Sequence, residues 1–246
     1  MHQILRYEST DSTNLRLKEM ADEAENGLVA LAAEQTLGRG RLSRSWVSRK
    51  GEGAWFSILV KDARLTNDNA AGLVFVCALA GAKSLKRLTG ADISIKWPND
   101  LVRNGKKLAG ILCESGFEGD VLKWTVCGIG INLTTLTFPK ELPWAGSVQG
   151  ETGVALQADE VVDAFLEDFD SALEMLLTGG LAAVITAIRP LSATLGKRVM
   201  ATSEGRSLIG EALELLPDGA LLLKTEDGLM PLRVGAVSVR GIMGYT

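Results

Sequence analysis

Residues 34–46 read Glu-Gln-Thr-Leu-Gly-Arg-Gly-Arg-Leu-Ser-Arg-Ser-Trp, a glycine- and arginine-rich stretch unlike the rest of the chain. Gly38 and Gly40 alternate with Arg39 and Arg41, so a permissive backbone carries a guanidinium group at every second residue. From residue 39 to residue 50 all charged side chains are basic, although the formal net charge of the chain is -4. Such a stretch suits an anionic ligand with phosphate or carboxylate groups, and a solvated basic loop remains the alternative.

The neighbouring sequence places this stretch at one end of a sheet. Residues 28–33 and 54–61 are apolar runs of strand length, and the stretch bridges them. A strand over residues 93–96, a hairpin turn at Asn104-Gly105 and strands over 107–114 and 124–133 follow. The pattern predicts an antiparallel sheet with helices packed on it.

Three helices are predicted from caps and apolar spacing. The first opens near residues 12–14, a cluster of capping residues, and stops at Asn26-Gly27. The second is a buried helix over residues 69–88, and the third runs over residues 159–177 and ends at Gly179-Gly180.

The last part of the chain has a different sequence pattern. After Pro190, short apolar stretches alternate with turn signals at Glu204-Gly205, Pro217-Asp218-Gly219 and Asp227-Gly228. This alternation is typical of a small all-β module of about five strands. We therefore expect two domains, over residues 1–190 and 191–246.

Composition narrows the class of protein. Of 246 residues, 46% are hydrophobic and 23% charged, as in a soluble globular protein with a sizeable core. The longest apolar runs, such as residues 73–82, are too short to span a bilayer, and the first residues contain no apolar signal region. A cytoplasmic protein with no membrane partner is expected.

Histidine and cysteine content argues against several chemistries. His2 is the single histidine, so a Ser-His-Asp triad or a zinc site has little support. Cys77, Cys113 and Cys127 are widely spaced in apolar runs and are interpreted as buried thiols, with a metal or redox role as the weaker alternative.

Five polar segments together carry a resemblance to a known family. They are Ser12-Thr13-Asn14, Gln35 with residues 38–46, Lys96-Trp97-Pro98-Asn99-Asp100, Lys107-Leu108-Ala109-Gly110 and Gly128-Ile129-Gly130-Ile131-Asn132. In this order and spacing, and over nearly the whole chain, they resemble the biotin protein ligases, also called biotin–[acetyl-CoA-carboxylase] ligases.

The resemblance implies a fold and a reaction. The fold is α+β, with a catalytic domain like that of the class II aminoacyl-tRNA synthetases followed by a small SH3-like β-barrel. The reaction is ATP-dependent and AMP-forming: biotin and Mg-ATP give biotinoyl-5'-AMP and pyrophosphate. The biotinoyl group then passes to a lysine of the biotin carboxyl carrier protein of acetyl-CoA carboxylase.

The resemblance also implies roles for individual residues. The catalytic cations are Arg39, Arg41, Lys96 and Lys107. The substrate-binding residues are Ser12, Thr13, Asn14, Gln35, Gly38, Arg39, Gly40, Arg41, Lys107 and Gly110. Trp46, Lys96, Asn99 and Asn132 bind ATP, and Asp100 holds magnesium, with a turn cap as the alternative role for Asp100.

The chain departs from the family pattern at three points. Ser43 stands where the family usually has glycine, and Ala236 stands where an acidic residue is common. Family members that also repress biotin genes carry a winged helix-turn-helix domain before the ligase. Here the first motif begins within a dozen residues of Met1, so we expect a short form with no repressor role.

Three other functions compete with this interpretation. Lipoate or octanoate ligases share the fold but lack this combination of motifs. A nucleic-acid-binding module is disfavoured by the negative net charge and by an aromatic content of only 5%. A biotin-binding regulator would have lost the phosphate-side cations, which are present here. The sequence does not decide whether the protein is a homodimer, because an exposed sheet edge serves equally to pair subunits or to dock a carrier domain.

Overall fold

A seven-stranded sheet forms the centre of the molecule. The computed structural model describes residues 2–203, 206–235, 237–242 and 244–246. The strands are β1 (Ile4–Tyr7), β2 (Val29–Ala32), β3 (Gly53–Val60), β4 (Ser94–Lys96), β5 (Asp100–Arg103), β6 (Lys106–Glu118) and β7 (Val121–Asn132). Their order is β1-β2-β3-β7-β6-β5-β4, and only β1 and β2 pair in parallel. The predicted α+β class is confirmed, and the sheet is mixed.

Helices cover both faces of this sheet. They are α1 (Thr13–Met20), α2 (Asn67–Ala70), α3 (Leu73–Thr89), α4 (Val148–Thr152) and α5 (Ala158–Ile188). Alternate residues of each strand point to opposite faces. On one face, Phe165 of α5 meets Phe56 of β3 edge to face, with ring centroids 5.1 Å apart. On the other, Leu17 of α1 packs in a separate cluster with Leu59 of β3 and Val126 of β7.

The helices differ from the sequence prediction at their ends. The first, α1, stops at Met20, before the predicted stop at Asn26-Gly27. The helix predicted over residues 69–88 is divided at Gly72 into α2 and α3. The backbone at Gly180 does leave helical geometry, with φ 70° and ψ 177°, but the chain resumes its helix to Ile188. Burial of Ile185 and Ile188 in the core explains why the helix continues.

The segment Ala158–Leu191 is long and apolar enough, by length and composition alone, to cross a membrane. The break at Gly180 interrupts it, and Val161, Phe165 and Ile185 lie in the main hydrophobic core. These contacts assign α5 to the interior of the fold.

A second, five-stranded sheet follows. Its strands are β8 (Arg198–Ser203), β9 (Arg206–Leu215), β10 (Leu221–Thr225), β11 (Gly228–Leu232) and β12 (Ser238–Gly241), in the antiparallel order β11-β10-β9-β8-β12. Five strands were predicted here, and five are described. Closure into an SH3-like barrel stays a prediction. The predicted turn at Glu204-Gly205 lies outside the described residues.

The two sheets are joined close to the Lys96–Asp100 segment. The backbone N–H of Trp97 donates to the Thr194 hydroxyl, and its indole N–H donates to the carbonyl of Gly219, both at 3.0 Å. Residues of both sheets belong to one hydrophobic cluster, from Val29 to Val239. The boundary between residues 190 and 191 stays a prediction.

Candidate active site

The N-terminus of α1 forms a polar wall. The backbone N–H and the hydroxyl of Thr13 both donate to Oε1 of Gln35, at 2.9 and 3.1 Å. The Gln35 amide in turn donates to the Ser48 hydroxyl. Ser12 is buried beside them. These bonds fix the Gln35 side chain and the first turn of α1 in one orientation, so the wall is formed before a ligand arrives.

Asn14 extends this wall across the sheet. Its amide donates to the Glu114 carboxylate at 2.9 Å and to the Leu112 carbonyl at 3.3 Å. The Ser57 hydroxyl lies 2.6 Å from Asn14 Oδ1, where it donates. A Cβ atom at Gly128 would stand 2.0 Å from that same oxygen, so glycine is required there for Asn14 to lie against β7.

Glu114 and Ser57 were missed in the sequence, although each is a polar residue in a mostly apolar predicted strand. Burial raises the pKa of the Glu114 carboxyl, but hydrogen bonds from Asn14 and Lys18 outweigh it and hold that pKa below its usual value. Arg39 joins Lys18 on this carboxylate, at 3.2 Å. Arg39 therefore lies at the polar wall, apart from the two predicted catalytic lysines.

The glycine-arginine loop is folded back on itself. The backbone N–H of Trp46 donates to the Gly38 carbonyl, and that of Gly40 donates to the Arg44 carbonyl at 2.7 Å. A Cβ at Gly38 would lie 2.3 Å from the Trp46 carbonyl oxygen, which explains the glycine. Ser43 has φ 58°, in the left-handed region that favours glycine. This positive φ explains why the family usually has glycine at this position. Serine adopts the same geometry here.

Arg41 ties this loop to two other parts of the fold. Its guanidinium donates to Asn99 Oδ1 at 2.8 Å and to the carbonyls of Gly235 and Val237 at 2.6 and 3.0 Å. Gly235 and Val237 thus reach the site through their backbone carbonyls. Ala236, the position at which the family commonly has an acidic residue, lies outside the described residues.

Trp46 lies on a floor made by two strand glycines. A Cβ at Gly130 would come 2.5 Å from its indole nitrogen, and one at Gly110 would come 3.0 Å from its ring. The Trp46 indole N–H is buried and has no hydrogen-bond partner among the described residues. A buried donor without a partner is costly, so this N–H is available to an acceptor on a ligand.

Lys96 and Lys107 converge on one buried carboxylate. The Lys107 ammonium lies 2.6 Å from Asp100 Oδ1, and that of Lys96 lies 3.5 Å from Oδ2. Burial lowers the pKa of Lys96 to about 8, despite the Asp100 charge. Burial by itself raises the pKa of Asp100, but the charges of Lys107 and Lys96 outweigh it and hold that pKa below its usual value.

Tyr245, near the C-terminus, completes this cluster and carried no motif in the sequence. Its hydroxyl donates to Asp100 Oδ2, and the Lys96 ammonium lies 4.4 Å from the centre of its ring. Burial raises the pKa of the phenol, as do the charge and hydrogen bond of Asp100. Tyr245 therefore stays protonated and serves as a donor.

Asp100 as a magnesium ligand stays a prediction, and the groups nearest its carboxylate are cationic or are hydrogen-bond donors. Oδ2 accepts from Tyr245 and faces Lys96, whereas Oδ1 faces the Lys107 ammonium but accepts no hydrogen bond from the described residues. Among the described residues, three cysteines form a group of potential metal ligands, and Asp100 does not belong to that group. Magnesium prefers carboxylate and phosphate oxygens and would be repelled by two ammonium groups.

Two asparagines are held by the backbone. The Asn99 amide donates to the Ile111 carbonyl and the Asn132 amide to the Gly146 carbonyl, both at 2.9 Å. Both side chains are buried, at 8% and 7% exposed, and both border the cavity. Trp97 was interpreted as a packing residue, and it is buried with its indole N–H satisfied.

All but one of the predicted site residues line a single cavity of 480 Å³. Gly38 is the exception, because it is buried against the Trp46 backbone within the loop. The cavity-lining residues are Ser12, Thr13, Asn14, Gln35, Arg39, Gly40, Arg41, Trp46, Lys96, Asn99, Asp100, Lys107, Gly110 and Asn132. One end is a neutral hydrogen-bonding wall and the other a cationic cluster, which suits an elongated ligand with a polar head and an anionic tail.

Known proteins share both sequence and structure with this chain. Residues 6–132 match the model of the Biotin/lipoate A/B protein ligase family. The biotin–[acetyl-CoA-carboxylase] ligase of Paracoccus denitrificans is 35% identical over 89% of this chain and 93% of its own length. A bifunctional ligase/repressor BirA of Bacillus spizizenii is 31% identical over 93% of this chain and 72% of its own length.

Among solved structures, the biotin protein ligase of Aquifex aeolicus in complex with biotin and ATP superposes with a TM-score of 0.86. It is 30% identical, and the match covers 97% of this chain and 99% of that one. The chain belongs to the Biotin/lipoate A/B protein ligase family.

Proposed function

We propose that this chain is an ATP-dependent biotin protein ligase. It forms biotinoyl-5'-AMP from biotin and ATP and transfers the biotinoyl group to a lysine of the biotin carboxyl carrier protein of acetyl-CoA carboxylase. The observation that carries the proposal is the single cavity, which joins a hydrogen-bonding wall to the cationic cluster of Lys96 and Lys107. The relatives named above are ligases of this kind.

The polar wall receives the ureido head of biotin in this proposal. Thr13, Asn14 and Gln35 supply both donors and acceptors, which a neutral urea group needs. Their mutual hydrogen bonds hold them in place, so binding costs little side-chain entropy. Ser12 closes the same wall, and Gly110 leaves room for the Trp46 ring and the Lys107 side chain to lie close to β6, beside the ligand.

The first step joins two anions, and its barrier is largely electrostatic. A carboxylate oxygen of biotin attacks the α-phosphorus of ATP, and pyrophosphate leaves with the electron pair of the broken P–O bond. Arg41, Lys96 and Lys107 offset the charge that collects on the phosphate oxygens. Trp46 packs against the adenine, and Asn99 and Asn132 border the nucleotide. Magnesium accompanies the ATP phosphates, and no step depends on Asp100 as its ligand.

The second step transfers the acyl group. The acceptor lysine attacks the acyl carbon as a neutral amine, the C–O bond to the phosphate breaks, and AMP leaves while the nitrogen loses a proton. No residue of the chain forms a covalent intermediate. The loop over residues 38–41, with Arg39 and Arg41, retains the reactive adenylate until the carrier arrives.

Further parts of the proposal concern the setting of the enzyme. The catalytic residues belong to a domain over residues 1–190, and the second sheet belongs to an SH3-like module over residues 191–246. A cytoplasmic location suits both ATP and the carrier protein. Of the two edge strands of the first sheet, β4 is paired at Ile95 with Ser192, so β1 is the edge that we propose for a second copy or for the carrier.

The test is exchange of labelled pyrophosphate into ATP by the purified protein. We expect exchange only when biotin is added, and about 100-fold less in Lys96→Ala, because a buried cation at the phosphates is lost. Lys224→Ala, at an exposed position on β10, is the matched control and should match the unmodified protein. Exchange without biotin, or with lipoate alone, would contradict the assignment.

A further inference from the structure

Three cysteines that are far apart in the sequence meet in the fold. Cys77 belongs to α3, Cys113 to β6 and Cys127 to β7. Their sulfur atoms all lie within 4.8 Å of one another, and all three thiols are free. Cys113 and Cys127 are direct partners across the β6–β7 ladder, and Cys77 approaches from the helix above. The sequence prediction of buried thiols holds for Cys77 and Cys127, whereas Cys113 is partly exposed.

The spacing suits one ion held by three sulfurs. A bond of about 2.3 Å to sulfur sets sulfur–sulfur separations of about 4 Å around a planar three-coordinate ion and about 3.5 Å around a pyramidal one. The thiols therefore need to draw together by up to about 1.3 Å, a shift that side-chain rotation can supply. No histidine or carboxylate joins the three cysteines as a fourth ligand among the residues that the structure describes. Structural zinc is almost always four-coordinate, so three sulfurs alone favour another ion.

The charge balance with three thiolates further limits which ion this site can bind. Cys77 and Cys127 lie in the main hydrophobic core, and Cys113 packs against it. A net charge in such surroundings is costly, so a neutral complex is favoured. Three thiolates leave a charge of -2 around a monovalent ion and -1 around a divalent ion, but they neutralise a trivalent one. Soft thiolate ligands also require a thiophilic element.

We propose that Cys77, Cys113 and Cys127 form a binding site for a trivalent, thiophilic metalloid, of which arsenic in arsenite is the probe. Each thiol gives up one proton, and three sulfur–arsenic bonds replace the three arsenic–oxygen bonds of arsenous acid. Three water molecules leave, and no oxidant or reductant takes part.

The site lies directly behind the polar wall of the ligase cavity. Cys113 stands between Leu112 and Glu114, and both of these accept hydrogen bonds from the Asn14 amide. Cys127 precedes Gly128, against which Asn14 packs. Drawing β6 and β7 toward an ion should therefore weaken biotin binding. This coupling rests on the proposed function, whereas occupancy of the cysteine site itself does not.

The test uses the full chain, reduced with a phosphine, and arsenite without any ligase substrate. We expect one arsenic per chain by mass spectrometry and loss of all three thiols from titration after denaturation. X-ray absorption should show three sulfur neighbours around arsenic. Cys113→Ala should bind about 100-fold more weakly, because one of three linked ligands is lost. Ser115→Ala, on the same strand, keeps every thiol and should bind as the unmodified chain does.

Several results would overturn the proposal: no binding, oxygen neighbours on the bound arsenic, a thiol that remains free, or equal affinity in Cys113→Ala. If Cys113→Ala does not fold, Cys77→Ala provides the second variant. The thiol count and the absorption spectrum of the unmodified chain decide the matter independently of any variant. Biotin affinity is measured separately, with and without arsenite, so a failed ligase assignment leaves the binding result intact.

Discussion

At the scale of single residues, Asp100 is the junction of the site. Its buried carboxylate holds Lys96 and Lys107 by charge and receives the Tyr245 hydroxyl. Carboxylates are seldom fully buried without such partners, because desolvation of the charge is costly. Asp100 therefore positions two cations toward the cavity and neutralises part of their mutual repulsion. This position accounts for the residue more directly than the predicted magnesium site does.

We expect Lys96 to make the proposed reaction sensitive to mildly alkaline pH. A lysine is cationic below its pKa, and burial lowers this pKa to about 8. The charge is thus lost as pH rises through about 8, and the phosphate loses its partner. We expect kcat/KM for ATP to be level near neutral pH and to fall by about tenfold per unit above the pKa. Initial-rate exchange assays test this, and an unchanged kcat/KM up to about pH 10 would contradict it.

Tyr245 should contribute to stability as well as to the site. Tyr245→Phe removes the hydroxyl that donates to the Asp100 carboxylate but keeps the ring beneath Lys96. A hydrogen bond to a charged group contributes about 2 kcal/mol, so we expect a loss of that size in the free energy of unfolding in urea. The chain has two tyrosines, and Tyr7→Phe on β1 is the matched control. Equal losses in both variants would show that the Asp100 contact contributes nothing special.

At the scale of elements, the glycine-arginine loop connects the polar wall to the second sheet region through the contacts of Arg39 and Arg41. Gly38 and Gly40 permit its sharp return, and Arg41 anchors its tip to Asn99 and to two carbonyls of the second sheet region. The loop is exposed along much of its length and has few apolar contacts. Such segments open at low cost in free energy, which suits a cover over a reactive intermediate.

Arg41→Ala tests the role of this anchor. Loss of charge-assisted hydrogen bonds should leave the fold intact and speed the release of biotinoyl-AMP by about 10- to 100-fold. The measurement is release of labelled adenylate after a single turnover. Lys50→Ala removes a nearby cation that pairs on the surface with Glu8, and it should release the adenylate at the original rate. Unchanged release in Arg41→Ala would remove the loop from the retention mechanism.

At the scale of the whole molecule, one hydrophobic cluster runs through both sheets. Trp97 connects them directly, because it precedes the Asn99-Asp100 pair and its indole N–H bonds to the Gly219 carbonyl. The segment that contains Asp100 is therefore held in place by a contact with the region of the second sheet. The position of the cationic cluster depends on this packing as much as on its own sequence.

Trp97→Phe should weaken the connection. The smaller ring leaves unfilled volume and an unpaired Gly219 carbonyl, so we expect a loss of about 2 kcal/mol in the free energy of unfolding. Chemical denaturation followed by circular dichroism measures it. Trp144→Phe, at a site 40% exposed, should change stability by less than about 0.5 kcal/mol. A comparable loss in the free energy of unfolding at Trp144 would mean that the Gly219 contact makes no specific contribution to stability.

The sequence by itself determined the strands on either side of the loop, the start of α1 and the motifs that indicate the family. It also determined the number of strands in the second sheet, whereas Ser12 makes no side-chain capping bond to α1. These features depend on local alternation, caps and turn residues, which operate over a few positions. Motif residues such as Thr13, Arg41 and Lys107 were recognisable from the order and spacing of the motifs along the chain.

Only the tertiary structure decided which residues meet. Tyr245 reaches Asp100, Glu114 reaches Asn14, and Cys77, Cys113 and Cys127 converge, through contacts between distant parts of the chain. The same holds for α5, which continues past Gly180 because its second half is buried. Strand register and packing against distant elements set these contacts, and both depend on the whole core rather than on any local pattern.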